Sequence, residues 1–261
     1  MKAVFGFMLL ILALAGVVLL VRLIGPISFK PAGFFDQLSG QPQVIYEEDR
    51  TGYPAVSFGA VIAGGWSLDA PAGQISVVNN GNQPINVTHW LIKANRGSYM
   101  IGKAIEIYDP SGLTAAGEIF LSPGGTLYIY SHPGPINFGF QVNKCLGYLQ
   151  NTNNFDPPLP QICPTFSGQE IAQLSGVCQS YLLSLSSCLP PEINIPLWND
   201  WRCAEKLNQL NYKSCFDRHR SDPDFLTGEW RLYGSGQVLD PLHDQVQLID
   251  EKGRVVDQYN Y

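Results

Sequence analysis

The sequence predicts a mainly β domain that carries a disulfide-stapled α-helical hairpin and is tethered by an N-terminal transmembrane helix. Three observations carry this expectation. Short runs rich in Val, Ile, Thr and Tyr alternate with clusters of Gly, Pro, Asn and Asp, as in an antiparallel sandwich. All six cysteines fall in one stretch between Cys145 and Cys215. The 19 residues from Ala3 to Val21 carry no charge, about enough to cross a ~30 Å hydrocarbon core as a helix.

In chain order, residues 1–24 read as the anchor. A signal peptide is the alternative, but its small-x-small site, Ala13-Leu14-Ala15, lies inside the apolar run with Val17 to Val21 still to follow. That favours an uncleaved span. Lys2 on one side and Arg22 and Lys30 on the other orient it poorly. Residues 25–60 read as a stalk, with four prolines and no sustained periodicity. The sandwich is expected over 61–140 and 230–261. Its strands are drawn from "QISVVNN", "INVTHWLIKA", "KAIEIYD" and "GTLYIYS", then "DQVQLID" and "RVVDQYNY" joined as a hairpin by Glu251-Lys252-Gly253. "NNGNQP" reads as a surface turn whose Asn and Gly supply unusual backbone angles, Ser122-Pro123-Gly124-Gly125 as a second turn, and Trp90 as a packing residue.

The segment 141–229 breaks the β pattern. "SGQEIAQLSGVCQSYLLSLSSC" opens with a capping box, Ser167-x-x-Glu170. It continues with Ile171, Leu174, Cys178, Tyr181, Leu185 and Cys188 on one helical stripe. A second helix follows over "NDWRCAEKLNQLNYKSC", capped by Asn199 or Asp200. Cys178 and Cys188 are ten residues apart, ~15 Å along a helix, too far for a disulfide. An antiparallel hairpin would instead pair Cys188 with Cys203 and Cys178 with Cys215, leaving Cys145 for Cys163. Disulfides persist in oxidising compartments, so the domain is expected outside the cytoplasm, at the cell membrane. Zinc is the rival for these thiols, with His219 available, but the short paired ligand spacing is missing.

The order of the β runs resembles the lamin tail domain, an immunoglobulin-like sandwich. The matching residues are "ISVVNNGNQPINVTHWLI", "IFLSPGGTLYIYS" and "DQVQLIDEKGRVVDQYNY". The resemblance covers roughly 68–131 and 230–261. This chain has His89 where the family has Gly before the tryptophan, and it carries the long insertion. Such domains also accompany hydrolases and nucleases, which implies an accessory subunit of an exported enzyme as one function; an envelope-anchoring structural protein is another.

With 22 acidic and 16 basic residues, a formal charge of −6 and no basic run, the chain lacks the electrostatic footprint of a nucleic-acid binder. The histidines (His89, His132, His219, His243) are scattered and no G-x-S-x-G is present. Asp240, His243 and Asp244 read as a polar loop rather than an acid/base pair, and "DRHRSDPDF" as an ion-paired turn. A divalent cation on Asp217, Asp222 and Asp224 is the alternative there. The Asn86-Val87-Thr88 sequon would be a glycan acceptor in a eukaryotic secretory pathway. The expectation is a non-catalytic binding or scaffolding module without a cofactor. It would meet the membrane through its N-terminal helix and a protein or envelope polymer through the insertion. Trp198 and Trp201 are the candidate contacts, with packing between insertion and sandwich as their other reading.

Overall fold

The computed structural model describes residues 54–64, 73–112, 114–192, 196–234 and 238–261. The expected anchor, and the stalk as far as residue 53, lie outside the described residues. Among those described, no helix is long and apolar enough to cross a membrane.

The chain is mainly β. Strands β1 (Val56–Ile62), β2 (Gln74–Asn79), β3 (Ile85–Asn86), β4 (Leu91–Ala94), β5 (Gly97–Met100) and β6 (Ala104–Ile105) come first. β7 (Ala116–Gly117), β8 (Phe120–Leu121), β9 (Thr126–Tyr130) and β10 (Phe140–Asn143) follow, and β11 (Leu226–Tyr233), β12 (Gln245–Ile249) and β13 (Val255–Asn260) come after the helical segment. One sheet has the order β1-β2-β9-β11-β10-β6-β7 and a second the order β13-β12-β4-β5, while β3 and β8 form a small ribbon. The first strand begins within the stretch read as stalk. β11 lies parallel to β9 and antiparallel to β10, in the middle of the larger sheet.

The two sheets share one apolar core. Val77, Leu127 and Trp230 of the first meet Ile92, Val246 and Leu248 of the second, with Trp90 among them. Burying each aliphatic side chain contributes about 1.5–3 kcal/mol. The final hairpin forms with Val246 and Leu248 inward, as the alternation requires. "KAIEIYD" contributes only the two residues of β6.

Turn chemistry differs in part from expectation. Gly124 takes φ 73°, and Gly125 N–H donates to the Ser122 carbonyl at 2.8 Å, as a Pro-Gly turn of type II demands. In "NNGNQP", by contrast, Gly81 has no positive φ. Asn79 shapes that turn: fully buried, it donates from Nδ2 to the Gln83 and Leu121 carbonyls, both at 2.8 Å, and accepts from Gly81 N–H at 2.9 Å. The exposed His89 adopts φ 67°, a left-handed conformation that favours glycine.

The helical segment corrects the sequence reading. The first helix is two: α1 (Gly168–Ile171), with the predicted Ser167/Glu170 capping box, and α2 (Gly176–Ser184). Ser175 and Gly176, weak helix formers, mark the break. The second is also two, α3 (Trp201–Leu207), capped by Asp200, and α4 (Tyr212–His219), capped by Asn211. Asn208 and Asn211 end one helix and start the next.

The expected cysteine pairing is overturned with them. The bridges are Cys145–Cys215, Cys163–Cys188 and Cys178–Cys203. α2 and α3 do not form an antiparallel hairpin stapled near its turn, because their N-terminal turns lie together. Ser175 Oγ is 3.2 Å from Asp200 Oδ2, and Cys178 and Cys203 are each the third residue of a helix. Cys188 lies beyond α2 at φ 64°, where the reversed chain reaches Cys163 instead.

Cys145–Cys215 closes 70 residues and Cys178–Cys203 closes 25. Loop-closure entropy then makes the first bridge worth more by at most about 1 kcal/mol, since the other bridges already shorten its loop. We expect Cys145→Ser/Cys215→Ser to lower the unfolding midpoint in urea more than Cys178→Ser/Cys203→Ser, with non-reduced peptide mapping of the parent returning the three pairs above. For His89, substitution by Val should cost about 1–2 kcal/mol and substitution by Gly should not destabilise; the same urea curves measure both.

Candidate functional site

The stapled insertion leaves the sheet at the end of β10 and returns at the start of β11. Asn143, buried, accepts Cys145 N–H at 2.9 Å and donates to Tyr212 Oη at 3.2 Å. Lys144 N–H donates to the Phe225 carbonyl at 3.0 Å. Lys144 Nζ reaches Asp222 Oδ2 and Asp224 Oδ1, both at 2.7 Å, and His219 Nδ1 lies 2.8 Å from Asp222 Oδ2. Hydrogen bonds from Lys144 and His219 hold the Asp222 carboxyl below its ordinary range, and the bond from Lys144 does the same for Asp224. Where a divalent cation was the alternative, the Lys144 ammonium joins two of the three aspartates; Asp217 pairs with Lys213 at 2.7 Å. Among the described residues no cluster of His, Cys, Asp and Glu could hold a metal ion.

Two apolar cores hold the insertion. One joins Phe140 and Val142 of the sheet to Leu146, Phe155, Phe216 and the bridges Cys145–Cys215 and Cys163–Cys188. A Cβ at Gly147 would collide with Cys188 Sγ and the Pro160 carbonyl, so the chain passes there without a side chain. The other core gathers Phe166, Ile171, Leu182 and Leu207 around Cys178–Cys203. Trp198 packs half-buried against this helical core and donates its indole N–H to the Glu192 carbonyl at 2.7 Å. Trp201 is 68% exposed. The structure thus separates the two tryptophans: one is tied into the insertion and the other faces out.

Two concavities differ in scale. A cavity of about 30 Å³ beside Ile75, Tyr99 and Leu239 has room for a water. A groove of about 400 Å³ runs between Tyr108, Tyr148, Leu149, Pro190, Tyr212 and Lys213, within the range of ligand sites. Its floor is fixed: Tyr212 Oη donates to the Tyr108 carbonyl, and burial raises the Tyr212 hydroxyl pKa so that it stays a donor.

Outside the groove, α2 turns apolar side chains both ways. Cys178 and Leu182 point inward, while Val177 and Leu183 are 70% and 64% exposed. Sequence reasoning missed these two. The signal was present in the 21 residues from Ile171 to Pro191, which contain no charged residue and no histidine. Glu192 follows that run directly, and further on Arg202 places its guanidinium 5.3 Å from the centre of the Trp201 ring.

The remaining candidates are absorbed by structure. Asp244 accepts Asn95 N–H at 2.8 Å and Asp240 N–H at 2.7 Å, and Asp240 accepts Leu242 N–H at 3.0 Å, so the polar loop before β12 is pegged by its own carboxylates. In the sequon, Asn86 Nδ2 donates to Glu118 at 2.8 Å and the Thr88 hydroxyl accepts Ile119 N–H at 2.7 Å. No family model and no curated protein matches the chain.

The neck ion pairs give a pH dependence. The folded Asp222 and Asp224 titrate below the unfolded value, so the unfolded chain binds more protons as pH falls through that window. Their contribution is present above about pH 4 and lost as pH drops through the folded values. Lys144→Met should therefore destabilise the protein at neutral pH by a margin that closes on acidification. Urea unfolding across a pH series, with NMR titration of the two carboxyls, measures this.

Proposed function

We propose that the chain is a membrane-anchored, extracytoplasmic, non-catalytic module of the lamin-tail type that holds or recognises another macromolecule through its stapled insertion. The observation that carries this reading is the outward apolar surface of an otherwise rigid insertion, led by Trp201 at 68% exposure. Interface cores are depleted of charge and enriched in Trp and Arg, which is the composition met from Ile171 to Pro191 together with Trp201 and Arg202.

Three further features support the parts of this reading. Three disulfides with no free cysteine among the described residues suit an oxidising compartment. The charge-free run from Ala3 to Val21 suits a membrane span. An immunoglobulin-like sandwich suits two sheets with a common core, and His89 occupies the left-handed position where the lamin tail family has glycine. The partner is a protein or an envelope polymer.

The two tryptophans test the reading. Trp198→Ala removes packing and a hydrogen bond, so it should cost about 1–3 kcal/mol of stability with partner recovery from crosslinked envelopes retained under conditions where the variant is folded. Trp201→Ala should change stability by no more than about 0.5 kcal/mol and lose the partner. Equal recovery with both variants would sink the assignment of the contact to this surface.

A further inference from the structure

The turn between β2 and β3 holds an Asn-Gly pair, Asn80-Gly81, with Asn80 exposed. In such a pair the glycine nitrogen can attack the asparagine side-chain amide, because no Cβ hinders the approach. The backbone nitrogen of Gly81, on losing its proton, bonds to Asn80 Cγ; the Cγ–Nδ2 bond breaks, and Nδ2 takes the proton and leaves as ammonia. Water then opens the succinimide at either carbonyl, giving aspartate or isoaspartate. The reaction needs no cofactor and no oxidant.

Both participants are tied down in the fold. Gly81 N–H donates at 2.9 Å to Oδ1 of Asn79, which is fully buried. Asn79 is itself fixed. Its Nδ2 donates to the Gln83 and Leu121 carbonyls at 2.8 Å, its N–H donates to the Gly125 carbonyl at 3.0 Å, and its carbonyl accepts Gly124 N–H at 2.9 Å. The leaving group is held as well. Asn80 Nδ2 donates to Ser57 Oγ at 2.8 Å, and Asn80 N–H donates to the Ala55 carbonyl at 2.7 Å. The side-chain amide is thereby drawn toward β1 and the nucleophile's hydrogen toward a buried oxygen.

We propose that Asn80 is a guarded deamidation site: the fold keeps it as asparagine, and opening of the β2–β3 turn releases it to convert. Native structures open locally at free energies below that of global unfolding, and surface loops are among the first parts to do so. Neither product can re-form the same turn, because a carboxylate at position 80 has no amide to donate to Ser57. Isoaspartate also adds a carbon to the main chain between Asn79 and Gly81, which changes the spacing that brings Gly81 N–H to Asn79 Oδ1. Conversion is thus an irreversible record of turn opening, and it places a new negative charge beside β1.

The full chain, incubated in mildly alkaline buffer either native or in guanidinium chloride with its disulfides intact, tests the proposal. Peptide mass mapping and an isoaspartate-specific methyltransferase assay read conversion at Asn80. The hydrogen bonds that must open are each worth a factor of about 2–12, so the native chain should convert at least about tenfold more slowly than the denatured one. Asn79→Ala, shown folded by the parent disulfide map, should raise the native rate several-fold. Ser57→Ala, on the edge strand β1, should raise it in the same direction and takes the place of the first variant if that one does not fold. Equal rates in the native and denatured chains would overturn the proposal, as would an unchanged native rate in the folded variant or conversion confined to other asparagines in the denatured chain.

Discussion

The insertion depends on one constraint, the closure of its neck. β10 and β11 are hydrogen-bonded neighbours, so the chain leaves and returns at the same place in the sheet. Bringing such distant ends together costs loop entropy that grows only logarithmically with length, and several interactions at the neck offset it. Cys145 follows β10 by two residues and is bonded to Cys215 in the last helix. Lys144 binds the two aspartates just before β11. Asn143 links the end of β10 to Tyr212. Each starts within two residues of the end of β10, so the insertion takes its position from the sheet.

A buried charge ties the two parts a second time. Arg231, 6% exposed in the central strand, donates to Glu229 at 2.6 Å and to the carbonyls of Pro157 at 2.8 Å and Pro158 at 3.2 Å. A guanidinium so desolvated is tolerated only when its donors are satisfied, and two of its acceptors belong to the insertion. Its carbon Cζ lies 5.9 Å from the centre of the Tyr130 ring. Burial pushes the Tyr130 hydroxyl up to about 12, so that ring stays neutral beside the arginine at ordinary pH. Removing Glu229 or the proline loop would leave a charge stranded in the core, whereas a neutral residue at 231 would only leave acceptors unpaired.

The β pattern was legible where side chains alternate by face: β2, β9 and the β12–β13 hairpin lie where the apolar spacing places them. β11 was not legible, because Glu229 and Arg231 interrupt the apolar run with charges, and the Pro157 and Pro158 carbonyls that complete the arginine's bonding are nearby only after folding. The helical stripe was readable in part: Ile171, Cys178, Cys203 and Leu207 are buried on helices, whereas Tyr181 is half-buried and Leu174, Leu185 and Cys188 lie outside the helices. What failed was continuity. Asn211 caps α4 with its side chain and Ser175 starts α2 without a cap hydrogen bond, and such a boundary within a periodic run cannot be told from a polar surface position by periodicity alone. Once each helix became two, the distances that had selected the cysteine pairing no longer applied. At the candidate site, Trp198 and Trp201 were named together and only the structure separates them, while Val177 and Leu183 were hidden by sharing a helix with the buried stripe.

The insertion divides its apolar residues between two tasks that compete. Turning Val177, Leu183 and Trp201 inward would enlarge a helical core that is small enough to need a disulfide, since short helices bury too little area to hold themselves. They face outward instead, and the Cys178–Cys203 bridge holds the N-terminal turns together without them. Covalent stapling thus orders these turns without the outer side chains, and in the proposed binding role a surface ordered beforehand needs little further ordering. The staple and the exposed face are on this view one device: the bridge supplies the order that the outward side chains would otherwise have to supply from within.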